Sequence, residues 1–119
     1  MATLETVGRN AAADAVVDQL DSGNLVFRTS GDVEVATLPF GATAFGAASV
    51  GVATANAITT DASATGGTTT KATWETSGAA IVLTCTVGIS GTEIVLDNNV
   101  ISPAVSVAIT SLTYTQPAA

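Results

Sequence analysis

Histidine is absent from this chain of 119 residues, and cysteine occurs once, as Cys85. Histidine is the side chain most often used for proton transfer, and a cysteine thiolate is a common nucleophile, so the chain is poor in catalytic groups. The same two residue types supply most zinc ligands. A single cysteine also excludes a disulfide within the chain. The sequence therefore predicts a protein that is not an enzyme and that holds no cofactor and no metal.

Basic side chains are almost as scarce. Arg9, Arg28 and Lys71 stand against ten acidic residues, which gives a net charge of -7. Binding to nucleic acid or to an anionic membrane surface requires clustered lysine and arginine. The chain has no apolar run near the roughly 20 residues that cross a bilayer, and its first residues lack the pattern of a signal peptide. We expect no nucleic acid and no membrane among its partners, and synthesis in a cytoplasm.

Aromatic residues make up only 4% of the chain, and Trp74 is the only tryptophan. It lies within residues 68–87 (TTTKATWETSGAAIVLTCTV), where two alternating runs flank a turn at residues 76–78. Alternation with a period of two is typical of strands with one buried face, so a β-hairpin is predicted. Trp74 offers the largest block of apolar surface and is placed at the centre of the core. The predicted inward face of the second strand consists of Ile81, Leu83, Cys85 and Val87, with Cys85 as a small buried hydrophobe.

The amino-terminal region is predicted to be helical. Residues 8–21 form the helix, because apolar and acidic side chains separate onto two sides there, and a turn at Gly23 ends it. Residues 1–7 are interpreted as an arm, since Leu4 and Val7 do not share the apolar side, and we expect this arm to pack on a partner. The apolar side of the helix contains Ala13, Val16, Val17 and Leu20, and the solvated side contains Asp14, Asp18 and Asp21.

Residues 24–115 are predicted to form a β-rich body, with residues 116–119 as a tail. Residues 24–29 and 33–38 read as a hairpin with its turn at residues 30–32, and residues 50–60 as one long strand or two shorter ones. Further strands are predicted at residues 92–97 and 104–115, the latter with a bulge near residues 110–111. Short strands at intervals of about 8 to 12 residues favour a single mainly β domain over residues 1–119, an antiparallel β-sandwich or barrel-like roll with one N-terminal α-helix.

Acidic residues are the remaining candidates for site chemistry. Asp14 and Asp18 lie on the solvated side of the predicted helix, and Asp32 and Glu34 flank a turn, so both pairs are interpreted as surface charge. Residues 97–99 (DNN) carry oxygen atoms suited to Ca²⁺, but they lack the spacing and the terminal glutamate of a calcium loop. This segment is interpreted as a turn.

Phe40 and Phe45 lie in a connection rich in glycine and alanine, residues 40–49 (FGATAFGAAS). Two interpretations remain open: the rings plug the core, or they are exposed anchors for a partner. The predicted strands carry few charges to protect their edges, and proteins often resolve this by covering an edge or by pairing it with another subunit. We therefore expect an oligomer, with Leu4, Val7, Phe40 and Phe45 as candidate interface residues.

Three segments, taken in order, resemble a known family of proteins. They are residues 9–23 (RNAAADAVVDQLDSG), residues 45–66 (FGAASVGVATANAITTDASATG) and residues 87–115 (VGISGTEIVLDNNVISPAVSVAITSLTYT). Their order and spacing resemble small virion proteins of tailed bacteriophages and prophages, over most of the chain. Residues 28–38 depart from the pattern, because the turn at residues 30–32 replaces a longer connection. Any contact made by that connection is not carried over to this chain.

The resemblance implies an accessory head protein of the kind that decorates or cements a capsid from outside. Its implied partners are the major capsid protein and copies of itself, in a homo-oligomer such as a trimer. Its implied location is the outer capsid surface of the virion. The family has no catalytic residues to carry over.

Two other hypotheses remain. A tail, neck or fibre component with a role in host recognition would use the same β-rich fold, with the loops at residues 40–49 and 61–67 as its recognition surface. A hydrolase of surface polysaccharide would need an unusual pair of carboxylates. Antibody labelling of virions distinguishes head from tail, and a hydrolysis assay tests the second hypothesis.

Overall fold

The computed structural model of this chain describes residues 3–90, 94–95, 99–109 and 112–116. The described residues form one helix and nine strands within a mainly β fold, which confirms the predicted fold class. The helix α1 is Thr6–Asp18, and the strands are β1 Asn24–Arg28, β2 Glu34–Pro39, β3 Val52–Thr54, β4 Gly67–Thr68, β5 Lys71–Glu75, β6 Ile81–Gly88, β7 Ile94–Val95, β8 Val100–Ile101 and β9 Thr113–Thr115.

Five strands form the main sheet, in the order β2-β1-β5-β6-β7. All neighbours in this sheet are antiparallel except β6 and β7, which pair in parallel over two residues. Two short antiparallel ladders, β3 with β9 and β4 with β8, lie outside this sheet, together with isolated bridges such as the one between Asp61 and Val107. The sheet is thus built from two hairpins, β1–β2 and β5–β6, joined side by side.

Both hairpins predicted from the sequence are confirmed, but two side chains of the second hairpin differ from the prediction. Cys85, predicted to be buried, is half-buried, and Ile81 is misplaced. Trp74 pairs with Leu83, whereas the next residue, Glu75, pairs with Ile81, so the register shifts between them. This irregularity breaks the alternation at the start of β6. Ile81 is therefore 59% exposed, and its predicted inward position is wrong.

The helix begins and ends earlier than predicted. Its first hydrogen bond joins the Arg9 amide to the Glu5 carbonyl at 2.8 Å, so Val7 belongs to the helix and not to an arm. The left-handed residue after the helix is Ser22, with φ 57°, and not the predicted Gly23. Glycine is required at position 23 for another reason: a Cβ atom there would lie 1.9 Å from the carbonyl oxygen of Glu75 in β5.

The strands in the second half of the chain are shorter than predicted. Of the predicted strand at 50–60, only residues 52–54 form a strand, and among the described residues of the one at 104–115, only residues 113–115 do. Ala104 has φ 67°, a left-handed conformation that interrupts an extended run. The predicted bulge at residues 110–111 and most of the predicted strand at 92–97 lie outside the described residues.

The core lies on one face of the main sheet, where side chains from three neighbouring strands form cross-strand rows. Leu25 stands between Leu38 and Trp74, and Phe27 stands between Ala36 and Ala72. Trp74 is 4% exposed, as predicted for the centre of the core. The helix contributes Ala13 and Val17, which are buried, while Val16 is half-buried. Leu20, in the turn just after the helix, is buried as well.

The outer edge of β2 is covered by residues 59–66 of the same chain. The Asp61 carboxylate accepts a hydrogen bond from the Thr37 amide at 2.8 Å, and the Gly66 amide donates to the Val35 carbonyl at 3.1 Å. A paired edge no longer offers a template to another chain. The expected oligomer stays a prediction, but this edge gives no argument for it.

Candidate interface surfaces

An apolar surface is exposed at the amino end of α1. We call Leu4, Val7 and Val50 the helix-end patch; they are 36%, 84% and 64% exposed. Val50 belongs to the turn before β3, and the next amide, that of Gly51, donates to the Asn10 side chain at 2.7 Å. The structure therefore places the predicted interface residues Leu4 and Val7 on the surface. It also exposes Val50, which sequence reasoning did not single out, in a turn that is bound to α1 through Asn10.

The turn that carries Val50 is conformationally costly. Ser49 and Val52 exchange two backbone hydrogen bonds of 2.9 Å, and the two residues between them, Val50 and Gly51, have φ of 51° and 75°. Two positive φ values in a two-residue turn favour asparagine followed by glycine. A β-branched residue in this conformation costs on the order of 1 to 3 kcal/mol. Val50 is exposed, so burial of its side chain does not offset this cost within the chain.

Phe40 and Phe45 are core residues, so their interpretation as exposed anchors is wrong. Each ring is 4% exposed, and both contact Trp74. The Phe45 ring stacks on Trp74 with a centroid distance of 5.9 Å and an interplanar angle of 14°, while Phe40 is tilted against both rings. These rings supply the apolar area that an aromatic-poor core needs. The phenylalanine rings of this glycine-rich connection therefore point into the core and not into solvent.

The face of the main sheet opposite the core carries a network of charged side chains. The Arg28 guanidinium lies 2.9 Å from the carboxylate of Glu75 and donates to the Thr73 hydroxyl at 3.0 Å. It also donates to the backbone carbonyl of Asp32, whose carboxylate is paired with the Lys71 ammonium. Thr73 and Glu75 are buried although they point away from the core. The network thus covers a row of polar side chains on β5.

The ion pair at the turn between β1 and β2 changes the acidity of its carboxyl group. A hydrogen bond from the Lys71 ammonium, together with its positive charge, lowers the pKa of Asp32 from its ordinary value of 3.8.

The third basic side chain, Arg9, donates to the Thr6 hydroxyl at 3.3 Å. Each of the three cationic side chains of the chain therefore has an acceptor within the chain.

Two of the three aspartates predicted to be solvated instead bind a loop. Asp14 accepts a hydrogen bond from the Ala48 amide, and Asp21 accepts one from the Ala44 amide, both at 2.8 Å. With the bond from Gly51 to Asn10, three side chains at or beyond α1 hold the connection at residues 44–51 by its backbone. The spacing of residues 10, 14 and 21 follows one side of a helix, a signal that sequence reasoning could have used.

Three of the four acidic side chains considered for catalysis have structural partners. Asp14 binds the loop, Asp32 is paired with Lys71, and Glu34 accepts hydrogen bonds from Thr37 and Thr65. Across residues 3–90, 94–95, 99–109 and 112–116, no group of three or more acidic or cysteine side chains is arranged to hold a metal ion. Residues 97–98 of the DNN segment lie outside the described residues.

A slot of about 370 Å³ opens between β6 and β9. Neither strand is near the other in sequence, and no local pattern indicates that they approach each other. The slot reaches the core cluster at Trp74, whose indole N–H lies 3.3 Å from the Cys85 sulfur. Sequence reasoning missed this surface entirely. The lining residues are Trp74, Leu83, Thr84, Cys85, Thr113, Tyr114 and Thr115.

Comparison of the chain with protein-family models, with curated protein sequences and with solved structures gives no significant match. The resemblance to bacteriophage virion proteins therefore stays a prediction. The described part of the chain contains no helix of the length and hydrophobicity that a membrane span needs. The class that the fold and surfaces define is a small acidic β protein with an exposed apolar patch and an uncharged slot.

Proposed function

We propose that this chain is a non-enzymatic structural protein of a tailed-bacteriophage virion, a decoration protein that binds the outside of the head and stabilises it. The observation that carries the proposal is the ordered resemblance of residues 9–23, 45–66 and 87–115 to small virion proteins. The major capsid protein is the proposed partner, together with further copies of the chain. The proposed location is the outer capsid surface.

Charge supports the outer surface over the interior of the head. The net charge is -7, and the three cations are engaged with acceptors inside the chain, as in the pairs Arg28–Glu75 and Lys71–Asp32. Packaged DNA presents a dense array of phosphate charge, which repels such a protein. A contact on the outer surface avoids this repulsion.

The helix-end patch supports a contact with another protein. Leu4, Val7 and Val50 are exposed apolar residues, and Val50 has a strained conformation in a turn that is bound to α1 through Asn10. Strain held at an exposed position is commonly a feature of a functional surface. In a shell the same contact is repeated many times, so a modest free energy per copy is sufficient to slow rupture of the shell.

The tail or fibre hypothesis is less well supported by the loops on which it depends. The loop at residues 40–49 buries both of its phenylalanines, and the loop at residues 61–67 binds the edge of β2 through Asp61 and Gly66. Backbone groups and rings used in this way are not available to a receptor. The hypothesis still predicts a distinct phenotype, loss of adsorption to the host.

Particles that lack the protein test the proposal. They should form heads, but they should release DNA at a lower temperature and under milder osmotic or chelator stress than complete particles. Purified protein added back should restore the stability, and antibody against it should label heads in electron micrographs.

A surface variant provides the matched control. Val7→Ser removes apolar area from the helix-end patch, whereas Val33→Ser makes the same change at another exposed valine, which is 61% exposed and lies near the turn between β1 and β2. The first variant should restore less stability than the second. Deficient particles that keep full stability and lose only adsorption would overturn the decoration role in favour of the tail hypothesis.

A further inference from the structure

The slot between β6 and β9 is bordered by backbone groups on its β6 side. The Val87 amide donates to the Thr70 carbonyl at 2.9 Å. The backbone N–H and C=O groups of residue 87, and of alternate residues before it in β6, therefore point toward β5. In an antiparallel pair the intervening residues direct their N–H and C=O away from that partner. Thr84 is such a residue, and β7 pairs only with Val87 and Gly88. Within the described residues, no strand pairs with Thr84 on the side of β6 that faces away from β5.

The β9 side of the slot also has backbone groups that point away from the paired neighbouring strand. The Ala55 amide donates to the Leu112 carbonyl and the Gln116 amide to the Gly51 carbonyl, both at 2.8 Å, so alternate residues of β9 face β3. Thr113 and Thr115 lie between those positions and direct their backbone groups the other way. In the described ranges, β9 has β3 as its only strand neighbour. Two strand edges therefore face the same opening.

An extended peptide is the ligand that matches two such edges. It presents N–H and C=O groups alternately on both sides, which is the basis of recognition by strand addition. Three strand residues span about 10 Å, the length of β9, so the slot suits a segment of about three residues with short flanks. Trp74 and Leu83 offer apolar contact to a side chain that points into the slot.

The lining also selects the charge of the peptide. None of the seven lining residues is charged, in a chain whose net charge is -7. Burial of an unpaired charge in such a slot is costly, so the segment is uncharged and built from small, β-branched or hydroxyl residues. A second copy of the chain is a poorer occupant of the slot, because two chains of the same negative charge repel each other. Residues 3–5, which precede α1 and could serve as the entering segment, include the charged Glu5.

We propose that the slot between β6 and β9 binds an extended, uncharged peptide segment of a partner protein by strand addition, with hydrogen bonds to Thr84 on one side and to Thr113 and Thr115 on the other. This inference goes beyond the proposed capsid role and does not require it. If that role holds, the shell subunit supplies the segment; if it fails, the slot still binds a peptide of this chemistry.

The test uses the full chain and an acetylated, amidated heptapeptide of alternating threonine and valine. Trp74 and Cys85 are the only residues of their types and both line the slot, so indole fluorescence and the rate of alkylation by iodoacetamide report its occupancy. A saturable shift in emission and alkylation slowed at least about fivefold at saturation are expected. A peptide N-methylated at two alternate amides loses two backbone hydrogen bonds and should bind about tenfold more weakly or worse.

A matched pair of variants locates the binding. Thr113→Lys puts a charge at the rim of the slot, and Thr60→Lys makes the same change at an exposed loop residue outside it. The first should weaken peptide binding about tenfold, and the second should change it less than about twofold. Circular dichroism and the thermal midpoint confirm that both variants fold, and the N-methylated peptide tests the proposal on the parent chain alone.

Three outcomes would overturn the proposal. The first is no change in either signal up to millimolar peptide, and the second is equal binding of the N-methylated peptide. The third is protection of Cys85 that rises with protein concentration in the absence of peptide, together with a dimer mass by light scattering. That result assigns the slot to a second copy of the chain.

Discussion

Removal of the Trp74 ring is the sharpest test of how the core is built. Trp74 is 4% exposed, stacks on Phe45 and directs its indole N–H at the Cys85 sulfur. Truncation of a buried aromatic side chain to alanine costs roughly 3 to 5 kcal/mol. Because Trp74 also lines the slot, water can enter the space that it leaves, and we expect Trp74→Ala to cost about 3 kcal/mol.

The measurement is urea unfolding followed by far-ultraviolet circular dichroism, since the variant has no tryptophan fluorescence. For a chain of 119 residues the expected loss corresponds to a decrease of about 12 °C in the thermal midpoint. Trp74→Phe keeps a ring on Phe45 and loses the contact with sulfur, so it should cost roughly 1 to 2 kcal/mol. A cost below about 1 kcal/mol for Trp74→Ala, or equal costs for both variants, would refute the central role of this ring.

Asp21→Ala should lower the free energy of unfolding by about 1 to 3 kcal/mol, because it leaves the buried Ala44 amide without its 2.8 Å partner. The control Asp18→Ala, on the exposed side of α1, should lower it by less than about 0.5 kcal/mol. Equal urea midpoints for the two variants would contradict the role of Asp21 in holding the loop. Val7→Ser should move the thermal midpoint of the isolated chain by less than about 2 °C, since Val7 is 84% exposed, and a large decrease would show that this side chain supports the chain's own core. Asp32 has a lowered pKa in the folded protein, so its pairing with Lys71 stabilises the fold above pH 3.8 and this contribution is lost as pH falls through the folded pKa. Asp32→Asn should therefore lower the urea midpoint at pH 6, and the difference from the parent chain should shrink as pH falls below 3.8. A difference that does not change with pH would assign the effect to packing.

The parts of the fold that sequence predicts well are those encoded by neighbouring residues. Alternation on both sides of the turn at residues 76–78 predicts the β5–β6 hairpin, and the scarcity of aromatic residues places Trp74 in the core. The same reasoning misplaces Ile81, because the register shift between Trp74 and Glu75 depends on both strands of the hairpin together. A period-two pattern read along one strand contains no information on such a shift.

The candidate surfaces are less predictable, because they are built from residues far apart in the chain. Leu4 and Val7 can be identified from their departure from the apolar side of the helix. Val50 cannot be identified in this way, since its turn is held near α1 by a hydrogen bond between Gly51 and Asn10, which are far apart in the sequence. The slot depends on the pairing of β9 with β3 and on where β7 stops pairing with β6, and neither pairing has a local signal in the sequence.

Buried polar side chains show a second limit of pattern reading. Alternation about Trp74 puts Thr73 and Glu75 on the face of the sheet away from the core, and yet both are buried. The long side chain of Arg28 lies over them and satisfies both. Direction follows from the pleat of the strand, whereas burial depends on which neighbour is long enough to cover the site.

Apart from the Phe45 ring, which is buried against Trp74, the side chains that hold the connection at residues 44–51 belong to other residues. Asn10, Asp14 and Asp21 bind its backbone amides, so the path of the connection does not depend on which small side chains it carries. Exchanges at Ala47 and Ser49, both exposed, should therefore alter what this end of the molecule recognises without altering its shape. In descendants of this chain, specificity at the helix end can diverge by substitution in the loop while α1 preserves the frame that presents it.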